Sequence, residues 1–178
     1  MNYVIVDLEA TCWDGSRMEE MEIIEIGAVY LDDATYQPMR DFEQFVKPII
    51  NPRLSEFCKS LTNIQQHDVD SSPFFPEAYR EFISWIGAQP FRLASWGEFD
   101  FNIFNIELQR CGLVWPSQFH GHINLKSLYA RAYSTKASIG LSDAMRKLSM
   151  SFEGRLHRGI DDARNIARVA QTILMLDS

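Results

Sequence analysis

The chain has 178 residues, 46% apolar and 12% aromatic, which suits one domain over residues 1–178 that buries roughly two-thirds of its unfolded surface. Its formal net charge of −7 argues against a protein that coats long nucleic acids through clustered Lys and Arg, yet it leaves room for an enzyme that grips a few nucleotides at one end. No stretch approaches the ~18 apolar residues of a membrane span, and the N-terminus lacks a basic flank and apolar run, so a cytoplasmic location and no membrane partner are expected.

Three apolar segments open the chain, at residues 3–8, 23–31 and 42–49. Asp14-Gly15 and then Asp32-Asp33 with Gln37-Pro38 punctuate them, which predicts a three-stranded antiparallel start. Short helical turns follow from Leu54. Pro76-Glu77 then opens a clearer helix whose Ala78, Tyr79, Phe82, Ile83, Trp85 and Ile86 recur at helical spacing up to Gly87. A strand at 92–96 leads through Gly97 into a helix carrying Phe101, Phe104, Ile106 and Leu108, stopped near Cys111-Gly112. A brief strand at 122–125 precedes a helix to about Tyr133, and 141–148 forms another, opened by Ser142 or a neighbouring polar cap.

The last helix is expected from Ile160 to about Met175, with Asp162, Ile166, Val169, Ala170 and Ile173 on one inward stripe. Strands first, then helices alternating with short strands, indicate an α/β fold with a mixed sheet flanked by helices. Cys12, Cys58 and Cys111 are odd in number and form no CxxC pattern, so free thiols are expected.

Against this background the acids stand out. Asp7 and Glu9 lie in the apolar run Tyr3-Val4-Ile5-Val6-Asp7-Leu8-Glu9 and, two residues apart on a strand, project from one face. An unpaired buried carboxylate is costly, so the pair calls for a counter-charge. If Asp100 and Asp162 converge on the same point, the site offers four hard oxygen donors, which suit Mg²⁺ or Mn²⁺ better than zinc. His157 precedes Asp162 by five residues, about 140° away if both sat on one helix. Gly159 between them favours a histidine on the loop that leads into the helix, where it can take a proton from water.

Asp7-Leu8-Glu9-Ala10-Thr11, Ile23-Ile24-Glu25-Ile26-Gly27, Ser95-Trp96-Gly97-Glu98-Phe99-Asp100 and His157-Arg158-Gly159-Ile160-Asp161-Asp162 resemble, in order, the motifs of the DEDDh 3′-to-5′ exonuclease superfamily. Its third motif places the aspartate five residues after the histidine, which selects Asp162 over Asp161. Residues 57–66 and Arg164-Asn165-Ile166-Ala167-Arg168 resemble the branch of histone-mRNA 3′-end and RNA-interference-regulating exonucleases.

The resemblance implies an RNase H-like fold whose five-stranded sheet has three antiparallel N-terminal strands plus two parallel ones. It also implies two Mg²⁺ or Mn²⁺ ions on Asp7, Glu9, Asp100 and Asp162, with His157 as general base. The implied partner is the 3′ end of RNA, with DNA as the alternative, and the implied products are nucleoside 5′-monophosphates. Ala10 and Thr11 would hold the terminal sugar and base, and Phe57 and Phe99 would sandwich the base, which predicts little sequence preference.

Two departures from the family pattern bear on substrate grip. Phe99 stands where the branch often has tryptophan, a smaller platform. The extra N-terminal nucleic-acid-binding module of some relatives is absent from the sequence, so the catalytic domain is expected to act alone or with a partner. A catalytically silent adaptor is the remaining alternative, but all five ligand and base positions are filled. Glu98 and Asp161 read as supporting or surface groups. Arg158 and Arg164 read equally as phosphate contacts or surface charges. His67, His120 and His122 read as ordinary surface or core residues, and Trp96 is the one tryptophan near enough to a motif to stay open.

Overall fold

A computed structural model describes residues 1–135 and 139–177. Five strands, β1 (Asn2–Ala10), β2 (Ile23–Leu31), β3 (Pro38–Phe45), β4 (Phe91–Ser95) and β5 (Phe119–Asn124), form one sheet in the order β3-β2-β1-β4-β5. The β1–β2 and β2–β3 pairs are antiparallel, and β4 and β5 run parallel to β1. This is the expected mixed sheet of RNase H-like type. Helices α1 (Glu56–Thr62), α2 (Gln66–Asp70), α3 (Phe75–Ile86), α4 (Phe99–Arg110), α5 (Leu125–Ala132), α6 (Leu141–Lys147) and α7 (Gly159–Asp177) complete it.

The third strand lies earlier than its apolar run suggests: it starts at Pro38 and ends at Phe45. The cause is Glu22, whose buried carboxylate accepts the amides of Ile49, Ile50 and Asn51 at 2.7, 2.9 and 2.7 Å and folds that segment into a turn. The cap expected for α6 is also different. Gly140, in extended geometry, occupies the position before the helix, and no side chain caps it.

Alternation along β1 decides what each face of the sheet holds. Val4, Val6 and Leu8 pack with Phe75, Tyr79 and Phe82 of α3 and Ile103, Phe104 and Leu108 of α4 in one apolar layer. Ile5, one residue over, packs with Leu125, Leu128, Met145, Ala163, Ile166 and Ala170 of α5, α6 and α7 in the other. Asp7 and Glu9 continue the second row.

Two glycines let α7 come down onto that row. A Cβ at Gly27 would lie 2.1 Å from the Gly159 carbonyl carbon, and one at Gly159 would lie 2.9 Å from the Asp7 carbonyl oxygen. Gly27 is the cross-strand partner of Asp7. The N-terminus of α7 therefore rests on bare backbone beside the acid pair, an approach closed to any larger residue at either position.

Candidate active site

Asp7 and Glu9 form the floor of the site. Just after them the β1–β2 register slips between Glu9 and Ala10. Asp162 descends from the first turn of α7, and carboxylate oxygens of Asp7, Glu9 and Asp162 all lie within 4.8 Å of one another. Burial, reinforced by the other acids, pushes the Asp7 carboxyl well above its usual range. The same causes, burial first and Glu25 next, raise Glu9 to about 9. Asp162 is also raised by burial, and the backbone and charge of His157, followed by the Arg158 amide that donates to its carboxylate at 3.2 Å, hold it partly down.

Asp100 flanks this triad from the first turn of α4 and is 5% exposed. Pairing between β1 and β4 ends at Ile5 and Ala94. Beyond that point the Leu8 N–H, free of β4, donates to Asp100 Oδ1 at 2.9 Å. Burial raises the Asp100 carboxyl to about 6, against the pull of this bond.

The turn before α7 carries His157, exposed, with a left-handed φ of 60°. Several groups hold this turn in place. Glu25, fully buried on β2 opposite Glu9, accepts from Gly159 N at 3.1 Å and Ile160 N at 3.3 Å, so a strand residue caps the helix. Arg158 lies 3.4 Å from Glu25, pairs with Glu43 at 2.5 Å and covers the Phe45 ring, so it is a packed cation rather than a free phosphate contact. Burial still leaves Glu25 raised, despite Arg158 and the two amides.

Asp161 turns away from the triad and accepts from Arg155 N at 2.9 Å, bracing the loop. Fully buried Asn165 clamps the same loop, exchanging bonds with the Glu153 backbone at 3.1 and 2.7 Å. Arg164 spans Asp41 and Asp161 at the surface. Trp96 packs edge-on against Tyr129 and donates to Ile139 O at 3.2 Å, which makes it a packing residue.

Of the residues assigned to substrate, Phe57 and Phe99 are 50% and 40% exposed. Ala10 and Thr11 are buried. The Thr11 hydroxyl accepts from Glu22 N at 2.9 Å, and the Ala10 carbonyl takes the Cys58 thiol at 3.5 Å, so much of their polarity serves the fold. Ser55 caps α1 through Cys58 N at 2.9 Å and donates to Cys12 O at 2.5 Å, which fastens the helix bearing Phe57 to the end of β1. The cysteines are free, as expected.

The donor set fits a divalent cation. Three hard carboxylate oxygens sit close together with their charged forms disfavoured by burial, and the positive group that bears on Asp162 is His157. Glu25 and Asn165 are the site residues whose roles the sequence did not reveal. A lone acid in the apolar run 23–31 was the visible signal for Glu25.

A family model described as Exonuclease (RNase_T) matches residues 4–170. The 3′-5′ exoribonuclease 1 of Homo sapiens is 36% identical over 179 residues, covering 96% of this chain and 51% of its own length. The chain thus spans about half the length of the curated relatives it matches. The solved nuclease domain of 3′hExo, a DEDDh family member bound to rAMP, has a TM-score of 0.90 at 36% identity, covering 98% of this chain and 92% of that one. A 3′-exonuclease solved in 3′-end specific recognition of histone mRNA stem-loop has a TM-score of 0.90 at 35% identity, covering 98% and 81%. With its fold, motif order and acid cluster in agreement, the chain belongs to the RNase_T exonuclease family, among its DEDDh members.

Proposed function

We propose that the chain is a metal-dependent 3′-to-5′ exoribonuclease that hydrolyses RNA from its 3′-hydroxyl end and releases nucleoside 5′-monophosphates one at a time. The observation that carries this reading is the meeting of Asp7, Glu9 and Asp162 at the foot of α7, within 4.8 Å, just after an exposed turn bearing His157. Asp7, Glu9, Asp100 and Asp162 would hold two Mg²⁺ or Mn²⁺ ions, which when bound lower the pKa of water and offset charge on the phosphodiester.

The chain's own residues supply the rest. His157 takes a proton from the attacking water at a ring nitrogen and returns it to solvent, to which its turn is open. Glu25 keeps His157 and Asp162 in fixed relation by capping the helix between them. Phe57 and Phe99 offer half-exposed rings for stacking on the terminal base, which tolerates any base. RNA rather than DNA is favoured by the relatives above, one an exoribonuclease and two solved with ribonucleotide or histone mRNA.

One time course tests this reading: 5′-labelled and 3′-labelled single-stranded RNA, and DNA of the same sequence, with Mg²⁺, Mn²⁺ or EDTA. The 3′ label should leave as a mononucleotide, the 5′-labelled ladder should shorten stepwise, and EDTA or His157→Ala should stop both. Release by the EDTA-treated protein would overturn the reading, and faster turnover of DNA would reassign the substrate.

A further inference from the structure

We propose that Asp161 is a positioning residue for His157: its carboxylate latches the loop where the chain enters the His157 turn, and opening the latch slows hydrolysis without loosening metal or RNA. The inference rests on the exonuclease reading above, in which His157 takes the proton. Leu156 and His157 make the turn, both exposed, and His157 holds a left-handed φ of 60°. With both side chains in solvent, the turn takes its place from the backbone bonds on either side.

Those bonds come from two adjacent aspartates. After the turn, the Arg158 N–H donates to Asp162 Oδ2 at 3.2 Å, and Glu25 accepts the next two amides. Before the turn, the Arg155 N–H donates to Asp161 Oδ2 at 2.9 Å. Consecutive residues on a helix point about 100° apart, so one aspartate reaches the acid site while its neighbour reaches the loop. His157 is strung between an anchor at Arg155 and an anchor at Arg158.

The anchor at Arg155 is closely fitted. Gly154 has a φ of 88°, and a Cβ there would lie 2.5 Å from Asp161 Cγ and 2.6 Å from the Oδ2 that accepts Arg155 N. Loop backbone therefore lies directly on the carboxylate, an approach that glycine alone allows. Asp161 is itself held: its side chain is 21% exposed, and its carbonyl accepts Asn165 Nδ2 at 2.8 Å, the same amide that bonds the Glu153 backbone. Arg164 lies 3.3 Å from Oδ1, the other carboxylate oxygen, so the latch does not depend on Arg164. Without the carboxylate, residues 154–157 hang between Glu153 and Arg158, and a base displaced by about 1 Å can cost ~100-fold in rate.

The test compares Asp161→Ala, Asp161→Asn, whose amide oxygen still accepts from Arg155 N, and Gly154→Ala, which drives a methyl group into the carboxylate. Single-turnover release is measured at saturating RNA and Mg²⁺, Mn²⁺ affinity is read from the EPR signal of free Mn²⁺, and amide relaxation follows the mobility of His157. Asp161→Ala and Gly154→Ala should slow release about 10- to 100-fold, with Mn²⁺ affinity and the KM for RNA within about 2-fold of the parent. The His157 amide order parameter should fall below about 0.6 in both. Asp161→Asn should stay within about 3-fold of the parent rate, since one acceptor oxygen is enough for one N–H.

Equal losses in Asp161→Asn and Asp161→Ala, a loss carried by Mn²⁺ affinity or KM instead of rate, or a parent-like rate in Asp161→Ala would overturn the latch. Should Asp161→Ala fail to fold, the rate of Gly154→Ala decides in its place. In each case the exonuclease reading stands as long as His157→Ala stops release. Full release by His157→Ala would remove the base from that reading, and this inference with it.

Discussion

On β1, Val4, Val6 and Leu8 enter a layer shared with α3 and α4 in which aromatic rings meet, Phe82 against Phe104 at 5.7 Å and Phe75 against Tyr79 at 5.9 Å. Ile5, Asp7 and Glu9, offset by one residue, face α7, and there apolar packing gives way to carboxylates within a single pleat. The first face gains stability from burial. The second forgoes it locally, holding acids whose charged forms burial disfavours. One residue of register separates a region built for stability from a region built for chemistry, and substitutions on the two faces should show opposite signatures.

The largest effect is expected from Asp7→Asn, which keeps the shape and removes the charge. Nucleotide release should fall by more than ~100-fold, while the metal-free protein should melt higher, because one repelled carboxylate is gone. A variant that loses activity and melts lower would show that Asp7 also serves the fold, blurring the contrast. On the opposite face Phe82→Ala, at a fully buried position, should cost about 3–5 kcal/mol in denaturant unfolding. Release per folded molecule should stay at the parent level.

The pH dependence sharpens the same contrast. Below about pH 4 the site acids are protonated whether the chain is folded or not, and they make no demand on the fold. As pH rises the unfolded chain ionises first, because folding raises Asp100 to about 6 and Glu9 to about 9. The folded state then binds more protons, so its stability must fall as pH rises between those limits. In EDTA the melting temperature should drop from pH 5 to pH 9, by about 2–4 °C per kcal/mol lost, and Mg²⁺ should flatten the slope. Phe82→Ala should keep the slope and Asp7→Asn should reduce it; identical profiles with and without EDTA would contradict the acid cluster as its source.

How much of this was legible in the sequence follows from how local each signal is. The Asp7 and Glu9 pair was readable because strand alternation is a two-residue rule, and Asp162 because a helical stripe is local as well. Asp161, one residue away, was separable by motif spacing, and the structure adds its work on Arg155 N. Glu25 was hidden because its partners lie 134 and 135 residues along the chain. Glu22, whose partners are 27 to 29 residues away, shifted the end of β3 for the same reason.

The smallest effect is expected where the sequence left two readings equal. Arg164 is 51% exposed and shares its charge between Asp41 at 2.7 Å and Asp161 at 3.3 Å. Exposed pairs of this kind contribute little, since solvent screens them and ordering two long side chains offsets the attraction. Arg158 differs: only 17% exposed, it faces the fully buried Glu25. Arg164→Ala should therefore change unfolding free energy by less than about 0.5 kcal/mol and leave both KM for RNA and the salt dependence of release untouched. A raised KM with a shallower salt dependence would mean that Arg164 leaves Asp41 to neutralise a substrate phosphate, extending the chemical face of the sheet one turn further along α7.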